Sequence, residues 1–158
     1  MNWHEYFIGI VWAVQTKSKD RSTKCGAIIV GPNHEIRSTG FNGFPRGIDD
    51  ENPAYHERPL KYDYTEHAER NAIYHAARVG VSTDDCTMYI GHNPVQGICC
   101  GCARAIIQSG ITKVIGPEHE FPGKGQELKD DCARAYFMLM DAGVDLRFQP
   151  MKEPRRCP

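Results

Sequence analysis

The chain has 158 residues, which is long enough for one domain with a sizeable hydrophobic core. Apolar residues make up 41% and charged residues 25%, an ordinary globular composition, and the formal net charge of −1 excludes a global basic field that would collect nucleic acid. The start of the chain lacks the basic segment and the cleavage site of a signal peptide, and no apolar run is long enough to span a membrane, so we expect a cytoplasmic protein.

Hydrophobic periodicity and turn residues predict the elements of the first half. Apolar residues at helical spacing predict a first helix over residues 2–18. Two β-rich runs, 25–30 and 35–41, flank the turn sequence GPNHE and predict a hairpin. Residues 43–64 show no clear period and predict a long loop, and structureless loops of that length are usually functional or disordered.

The second half is predicted to alternate between helices and strands. A helix is expected from about residue 66 to residue 79, with Thr65 as its N-cap and Gly80 as its stop. The other predicted elements are strands at 86–91, 112–116 and 144–148 and helices at 100–109 and 126–142. This order favours a single α/β domain with a mixed sheet over residues 1–150, followed by a polar tail over residues 151–158.

Seven cysteines are many for this length, and without a signal peptide we favour metal binding or buried thiols over disulfides. Cys99 and Cys102 form a C-x-x-C pair at the start of a predicted helix, and His67 lies at the start of another. Helix N-termini favour thiolates because free N–H groups and the positive end of the helix dipole lie there. One histidine and two cysteines leave the fourth position of a tetrahedral zinc open, which predicts one catalytic zinc per chain.

Glu69 supplies a carboxylate two residues after His67. Zinc lowers the pKa of a bound water to about 7, and Glu69 could take the proton of that water and hand it to a leaving amine. This chemistry suits the hydrolytic loss of ammonia from a C=N carbon. His-x-Glu with C-x-x-C is typical of zinc deaminases, whereas C-x-x-C alone also occurs in redox pairs and in structural zinc sites.

Several motifs in the same order resemble the deoxycytidylate (dCMP) deaminases of the zinc-dependent cytidine deaminase superfamily. Over roughly residues 3–148 they are EYF, SKD, CGAIIV, GFNGFPRGIDD, KYDYTEHAERNAI, TMYI, CCGCARAIIQSGITKVI and AGVDLRF. The resemblance implies a three-layer α/β/α sandwich with a five-stranded mixed sheet. It implies zinc on His67, Cys99 and Cys102, with Glu69 as the general acid/base. The implied reaction is the hydrolysis of dCMP to dUMP and ammonia, in the pyrimidine metabolism that supplies dTMP.

The resemblance also implies a homo-oligomer, a hexamer or a dimer, that is activated by dCTP and inhibited by dTTP. Mg²⁺ is expected to accompany a nucleotide effector. In the family a GYNG loop serves nucleotide and effector binding, and its counterpart here is GFNG, which makes Asn42 and Gly43 candidate binding residues. Phe41 replaces the family's tyrosine in this loop. Asn71, in the Asn-Ala-Ile that follows the catalytic motif, is a further candidate.

The phosphate of a nucleotide needs local cations or backbone N–H groups. Lys19 belongs to a basic cluster after the first helix, and Arg46 lies in the glycine-rich loop, so both are candidates for the phosphate. Tyr64 precedes the site and could stack on a base or simply pack.

The chain departs from the family pattern near the cysteines. The family has proline directly before the first zinc cysteine, whereas VQGI here separates Pro94 from Cys99, which we interpret as an insertion that reshapes the rim of the active site. Cys100 is an alternative ligand, but it would leave a C-x-C chelate tighter than the family uses. Arg70 stands where the family usually has a small or apolar residue and could meet a phosphate, an effector or a neighbouring subunit. Among the remaining histidines, His92, just before the insertion, is the best candidate to line the pocket.

Two other functions stay open at this point. One is a zinc deaminase for another base or nucleotide, such as dCTP, a modified cytosine nucleotide, guanine or adenosine. The other is a non-catalytic zinc module, although a purely structural site has no use for the spare carboxylate of Glu69. The other cysteines in apolar strands, Cys25 and Cys86, are expected to be small core residues.

Overall fold

The computed structural model describes residues 1–93, 97–118 and 126–149, and its centre is a five-stranded mixed sheet. The strands are β1 (Lys24–Val30), β2 (Ile36–Phe41), β3 (Thr87–Asn93), β4 (Lys113–Pro117) and β5 (Asp145–Gln149), in the spatial order β2-β1-β3-β4-β5. β1 is antiparallel to both β2 and β3, whereas β3, β4 and β5 run parallel. The predicted hairpin and the mixed sheet are confirmed.

Four of the helices correspond to predicted ones. The helices are α1 (Trp3–Gln15), α2 (Leu60–Tyr64), α3 (Ala68–Val79), α4 (Cys100–Gln108) and α5 (Gln126–Asp141). Gly80 ends α3 with a φ of 74°, as the predicted stop requires. The exception is α2, which no pattern predicted.

The segment 43–64 is not the structureless loop that was predicted, because it contains α2 and a 3₁₀ helix, Pro53–His56. Helices of four or five residues are too short to show a helical period in the sequence. The predicted N-cap of α3 was also wrong. Thr65 ends α2, where its N–H donates to the carbonyl of Lys61 at 3.0 Å, and His67 is the N-cap of α3.

Helices cover both faces of the sheet. α1 packs on one face, where Phe7 and Val11 meet Ile28 and Tyr89. The opposite face carries α3, α4 and α5, and the core beneath them includes Ala72, Met88, Ile106, Val114 and Leu139. α4 connects β3 to β4, and α5 connects β4 to β5. Because both connections are right-handed and move in the same direction across the sheet, the two helices lie on the same face. The predicted three-layer α/β/α arrangement is confirmed.

Gly40 on β2 allows α3 to lie directly against the sheet. A Cβ at this position would lie 2.3 Å from the carbonyl oxygen of Ala68 and 2.3 Å from the backbone nitrogen of Ala72. Because both neighbours are backbone atoms, no rotation of a side chain could relieve such a contact. The first turn of α3 is therefore held at a fixed height above β2, and this turn carries the residues of the candidate site.

In the described parts of the chain, no helix has the length and apolar character needed to cross a membrane. The predicted polar tail, residues 151–158, lies outside the described residues. The organisation as one domain over residues 1–150 stays a prediction.

Candidate active site

The N-termini of α3 and α4 meet at one corner of the molecule. His67 occupies the N-cap position of α3, but its ring makes no capping hydrogen bond, so it can face α4. The Nδ1 atom of His67 lies 3.5 Å from the Sγ atom of Cys99 and 3.4 Å from that of Cys102. Cys99 is the N-cap of α4, and its Sγ accepts a hydrogen bond from the backbone N–H of Cys102 at 3.4 Å.

These three side chains fit a metal ion. Their ligand atoms lie within 4.8 Å of one another, and one nitrogen with two sulfurs is a donor set that zinc favours. Hydrogen bonding by Cys102 lowers the pKa of the Cys99 thiol to about 4. Burial alone would raise this pKa, whereas His67 lowers it further. The hydrogen bond to Cys99 in turn raises the pKa of His67 to about 9, again against burial. A thiolate is the form of cysteine that binds a metal.

No second cluster competes for this role within residues 1–93, 97–118 and 126–149. Cys100, the alternative ligand, donates from its Sγ to the carbonyl oxygen of Asp131 at 3.3 Å and does not belong to the group. Cys86 is fully buried and Cys25 borders the same core, as expected for packing residues. The insertion is described only in part, because Val95 and Gln96, like the preceding Pro94, lie outside the described residues.

Glu69 lies in the first turn of α3 with its side chain only 3% exposed. Burial alone would raise its pKa, but the neighbouring His92 and His67 outweigh burial and hold the pKa of this carboxyl well below its usual range. The positive end of the helix dipole also favours a carboxylate here. The surroundings of Glu69 therefore favour its carboxylate form, and the residue lies close to the His–Cys–Cys group without being a member of it.

His92, on β3, lies beside Glu69. Its Nε2 atom is 3.8 Å from the Oε1 atom of Glu69, and its side chain is 5% exposed. The other ring nitrogen, Nδ1, is buried and has no hydrogen-bond partner among the described residues. His92, the best candidate among the remaining histidines, thus contacts the candidate acid/base.

An ion pair flanks the first turn of α3. Arg70 donates to the Oε1 atom of Glu66 at 2.6 Å, and the same oxygen accepts the backbone N–H of His67 at 2.9 Å. Gly101 leaves room for the guanidinium, since a Cβ there would lie 3.3 Å from its Nη1 atom. A phosphate, an effector or a neighbouring subunit were the partners considered for Arg70; its ion pair with Glu66 was not predicted, although the i, i+4 spacing could have indicated it.

Asn42 does not point freely into a binding site. It is 5% exposed, its Oδ1 accepts the backbone N–H of Cys25 at 2.8 Å, and its Nδ2 donates to the carbonyl of Thr23 at 2.9 Å. Both hydrogen bonds of the amide thus tie the residue after β2 to the start of β1. A contact of Asn42 with substrate or effector stays a prediction.

Gly43 and Asn71 connect the end of β2 to α3. Gly43 and Glu66 exchange two backbone hydrogen bonds of 3.1 and 2.8 Å, and the side chain of Asn71 donates to the carbonyl of Phe41 at 2.8 Å. The GFNG loop therefore lies next to the N-terminus of α3, as a role in substrate binding would require.

The two candidate phosphate cations differ in their surroundings. The ammonium of Lys19 lies 2.8 Å from the carboxylate of Asp50 and also contacts that of Glu51. Arg46 is exposed, and it forms no ion pair with any residue that the structure describes. Arg46 is therefore the better candidate of the two.

Tyr64 belongs to an aromatic cluster within residues 43–64. Its ring stacks on Tyr55 with 4.3 Å between centroids, and Phe44 contacts both of these rings edge-on. His56 packs against Phe44 at 4.8 Å. The simple packing that was considered for Tyr64 is therefore present, and stacking on a base stays a prediction.

Asp20, whose role was not predicted, joins the segment 43–64 to the rest of the molecule. Its carboxylate accepts hydrogen bonds from the ammonium of Lys61 at 2.7 Å and from the backbone N–H groups of Ser22 and Thr23 at 2.8 and 3.0 Å. Burial raises the pKa of Asp20, but these donors outweigh it and lower the pKa. Lys61 lies 41 positions along the chain, so no local pattern could have revealed the contact.

Comparisons with known proteins agree with this geometry. A family model described as the cytidine and deoxycytidylate deaminase zinc-binding region matches residues 1–116. The chain is 36% identical over 154 residues to a protein of Aliivibrio fischeri named "Uncharacterized deaminase in luxG 3'region", covering 94% of this chain and 95% of that one. It is 37% identical over 152 residues to the deoxycytidylate deaminase of Mus musculus, covering 93% of this chain and 79% of the other.

Among solved structures, the dCMP deaminase from the cyanophage S-TIM5 in complex with dCMP and dUMP has a TM-score of 0.71. At 23% identity it covers 92% of this chain and 96% of its own, which indicates a shared fold. The family model and the relatives cover the helix starts that carry the His–Cys–Cys group and Glu69. The chain therefore belongs to the cytidine and deoxycytidylate deaminase family.

Proposed function

We propose that the protein catalyses the hydrolytic deamination of dCMP to dUMP and ammonia. The observation that carries this proposal is the buried carboxyl group of Glu69 beside three side chains suited to zinc. The names of the mammalian relatives, which match along 93% of the chain, favour dCMP over another base. The same relatives disfavour a zinc module without catalytic activity.

His67, Cys99 and Cys102 would hold the zinc, which when bound supplies a Lewis acid that acidifies water. Glu69 accepts a proton from the attacking water and delivers it to the exocyclic amino group, which leaves as ammonia. The first turn of α3 orients this carboxylate, and its burial keeps bulk water away from the proton that it carries. One water is consumed for each ammonia released.

The direct test is ammonia release from dCMP, CMP, dCTP, deoxycytidine, guanine and adenosine. We expect turnover of dCMP, and we expect Glu69→Gln to retain zinc while kcat falls by about 10²- to 10⁴-fold. Glu35→Gln removes a carboxylate that pairs with Arg37 and serves as the control. Activity on a different base alone would overturn the substrate. Normal turnover by Glu69→Gln would overturn the assigned acid/base.

We further propose that Arg46 binds the phosphate of dCMP, because its exposed guanidinium has no competing carboxylate in the described structure. A charge-assisted hydrogen bond contributes about 1.5–3 kcal/mol, so Arg46→Gln should raise KM for dCMP about tenfold or more. KM for deoxycytidine, which has no phosphate, should stay unchanged. Arg78→Gln, at the exposed end of α3, is the matched control. An equal loss on both substrates would contradict phosphate binding.

The remaining family expectations stay proposals for this chain. They are activation by dCTP, inhibition by dTTP, Mg²⁺ with the effector, assembly into a hexamer or a dimer, and a cytoplasmic location. Phe41 lacks the hydroxyl of the family's tyrosine, so effector control is the expectation that this chain supports least. Measuring dCMP turnover with dCTP and Mg²⁺, or with dTTP, tests it directly.

A further inference from the structure

We propose that His92 is a positioning residue that orients the carboxylate of Glu69 by donating the hydrogen on its Nε2 atom to the Oε1 atom. The inference rests on the proposed function, since it assigns a task to Glu69 that matters only if this carboxylate moves protons. His92 is not itself assigned to the substrate or to the metal.

The alternation of β3 points the ring of His92 towards α3. Side chains on successive residues of a strand point to opposite faces of the sheet. Ile90 packs in the core beneath α3 and α4, whereas a Cβ on Gly91 would meet Val11 of α1 on the other face. His92 therefore returns to the face of Ile90, at the end of β3, where Glu69 enters from α3.

The two side chains form an enclosed pair. The distance between Nε2 of His92 and Oε1 of Glu69 is 3.8 Å, and their side chains are 5% and 3% exposed. A carboxylate in such surroundings is costly unless a donor or a positive charge lies beside it. At 3.8 Å the two atoms are in close contact but beyond hydrogen-bond distance, and a small rotation of either side chain brings them within it.

The second ring nitrogen determines which atom carries the hydrogen. Nδ1 of His92 is buried without a partner among the described residues. A hydrogen on Nδ1 alone would leave that buried donor unpaired and would turn the lone pair of Nε2 towards a carboxylate oxygen. A hydrogen on Nε2 removes the repulsion and gives the carboxylate a donor. The surroundings therefore select the form of His92 with Nε2–H.

This contact has a consequence for catalysis. With Oε1 held by His92, the rotation of the carboxylate is restricted, and the Oε2 atom is left for the proton that is transferred. Orientation of this kind lowers the barrier of the chemical step and does not add a contact to the substrate. Loss of His92 should therefore lower kcat and leave KM for dCMP nearly unchanged.

The first experiment compares His92→Leu with His92→Gln in the zinc-loaded protein. Replacing partners that orient a group of this kind typically costs about 10- to 100-fold in activity, so we expect kcat of His92→Leu to fall by that factor with zinc content unchanged. The amide of His92→Gln can replace the Nε2 donor and should recover most of the loss. His75→Leu removes a histidine of α3 whose ring contacts the carbonyl of Thr39, and it should leave kcat unchanged.

A double-mutant cycle separates positioning from general damage to the fold. In a Glu69→Gln background there is no catalytic carboxylate to orient, so adding His92→Leu should cost little further activity. A full additional loss in that background would overturn the proposal. Equal loss in His92→Leu and His92→Gln, or a rise in KM alone, would also overturn it.

A measurement without turnover keeps this inference separate from the proposed function. Nitrogen-15 NMR of the zinc-loaded protein reports which ring nitrogen of His92 carries the hydrogen. We expect a protonated Nε2 whose shift changes in Glu69→Gln. An unprotonated Nε2, or no response to Glu69→Gln, would overturn the positioning role even if dCMP is deaminated. Conversely, a failure to deaminate dCMP would overturn the proposed function, and the NMR result would still show whether Nε2 of His92 donates to Glu69.

Discussion

The helix starts that form the candidate site and the neighbouring segment 43–64 are held in place in different ways. The His–Cys–Cys group and Glu69 lie on the first turns of α3 and α4, so helix geometry and backbone packing against the sheet fix their positions. The segment 43–64 contains only short helices. Ion pairs of Lys61 with Asp20, and of Asp50 and Glu51 with Lys19, join it to the rest of the molecule, and its own aromatic rings pack against one another.

We therefore expect the two regions to differ in how strongly substitutions affect turnover. The helix starts bring together groups whose function depends on distances of a few tenths of an ångström, and rigid elements provide that accuracy. The segment 43–64 begins beside the site, where Gly43 pairs with Glu66, but side-chain contacts hold most of it. We therefore expect changes at the helix starts to have large effects on turnover and changes in the segment to have smaller effects that depend on pH.

The largest effect is expected from a substitution of Cys99, a candidate zinc ligand at the start of α4. Cys99→Ser replaces a soft thiolate by a hydroxyl, so the protein should lose its zinc and its turnover. Cys100→Ser is the matched control, because the Cys100 thiol bonds to the carbonyl of Asp131 and is not part of the group. Zinc content and ammonia release measure both variants. Loss of zinc in Cys100→Ser with retention in Cys99→Ser would reverse the ligand assignment.

The next largest effect is expected at the contact between α3 and β2. Gly40→Ala places a Cβ 2.3 Å from two backbone atoms of α3, and overpacking of this kind should cost about 3 kcal/mol of unfolding free energy. Activity should fall as well, because the first turn of α3 must move away from the sheet. Gly9→Ala, in α1, meets no atom within 4 Å and should be stabilising by about 0.5–1 kcal/mol. Urea unfolding that shows equal stability for both variants would contradict the close contact.

The helix starts were also the region that the sequence predicted best. The C-x-x-C pair and His-x-Glu are local patterns, and each lies at a helix start whose apolar spacing is clear. The five strands and the mixed sheet could be predicted because a hairpin signal is followed by helical patterns that alternate with β-rich runs. Thr65 was misplaced because it also suits a cap, and only the backbone shows that it ends α2.

The contacts that were not predicted join residues far apart in the sequence. His92 meets Glu69, and Lys61 meets Asp20, through the packing of separate elements, and no spacing rule reports such pairs. Lys19 was expected at a phosphate because its charge is visible in the sequence, whereas its acidic partners Asp50 and Glu51 became evident only in the structure. Composition thus locates charge, but the fold decides which charge is available to a ligand.

The smallest effect is expected in the segment 43–64 and should depend on pH. Lys61→Met removes a donor from the carboxylate of Asp20, whose side chain is 6% exposed, and should cost about 1–3 kcal/mol of unfolding free energy at pH 7. The pKa of Asp20 is lowered in the folded protein, although burial raises it, so its stabilising contribution is complete above the unfolded pKa of about 3.9. That contribution is lost as the pH falls through the lower folded value.

The stability deficit of Lys61→Met should therefore be largest at neutral pH and should shrink below about pH 4, since a protonated Asp20 no longer needs the ammonium. Urea unfolding of both proteins between pH 2 and pH 7 measures the difference at each pH. Lys19→Met removes an ammonium whose side chain is half exposed, and its stability should stay near that of the unsubstituted protein throughout. A deficit of Lys61→Met that stayed constant with pH would show that packing of the lysine stem, and not its charge, holds the segment. The segment 43–64 would then differ from the helix starts only in how densely it is packed, and not in its dependence on charge.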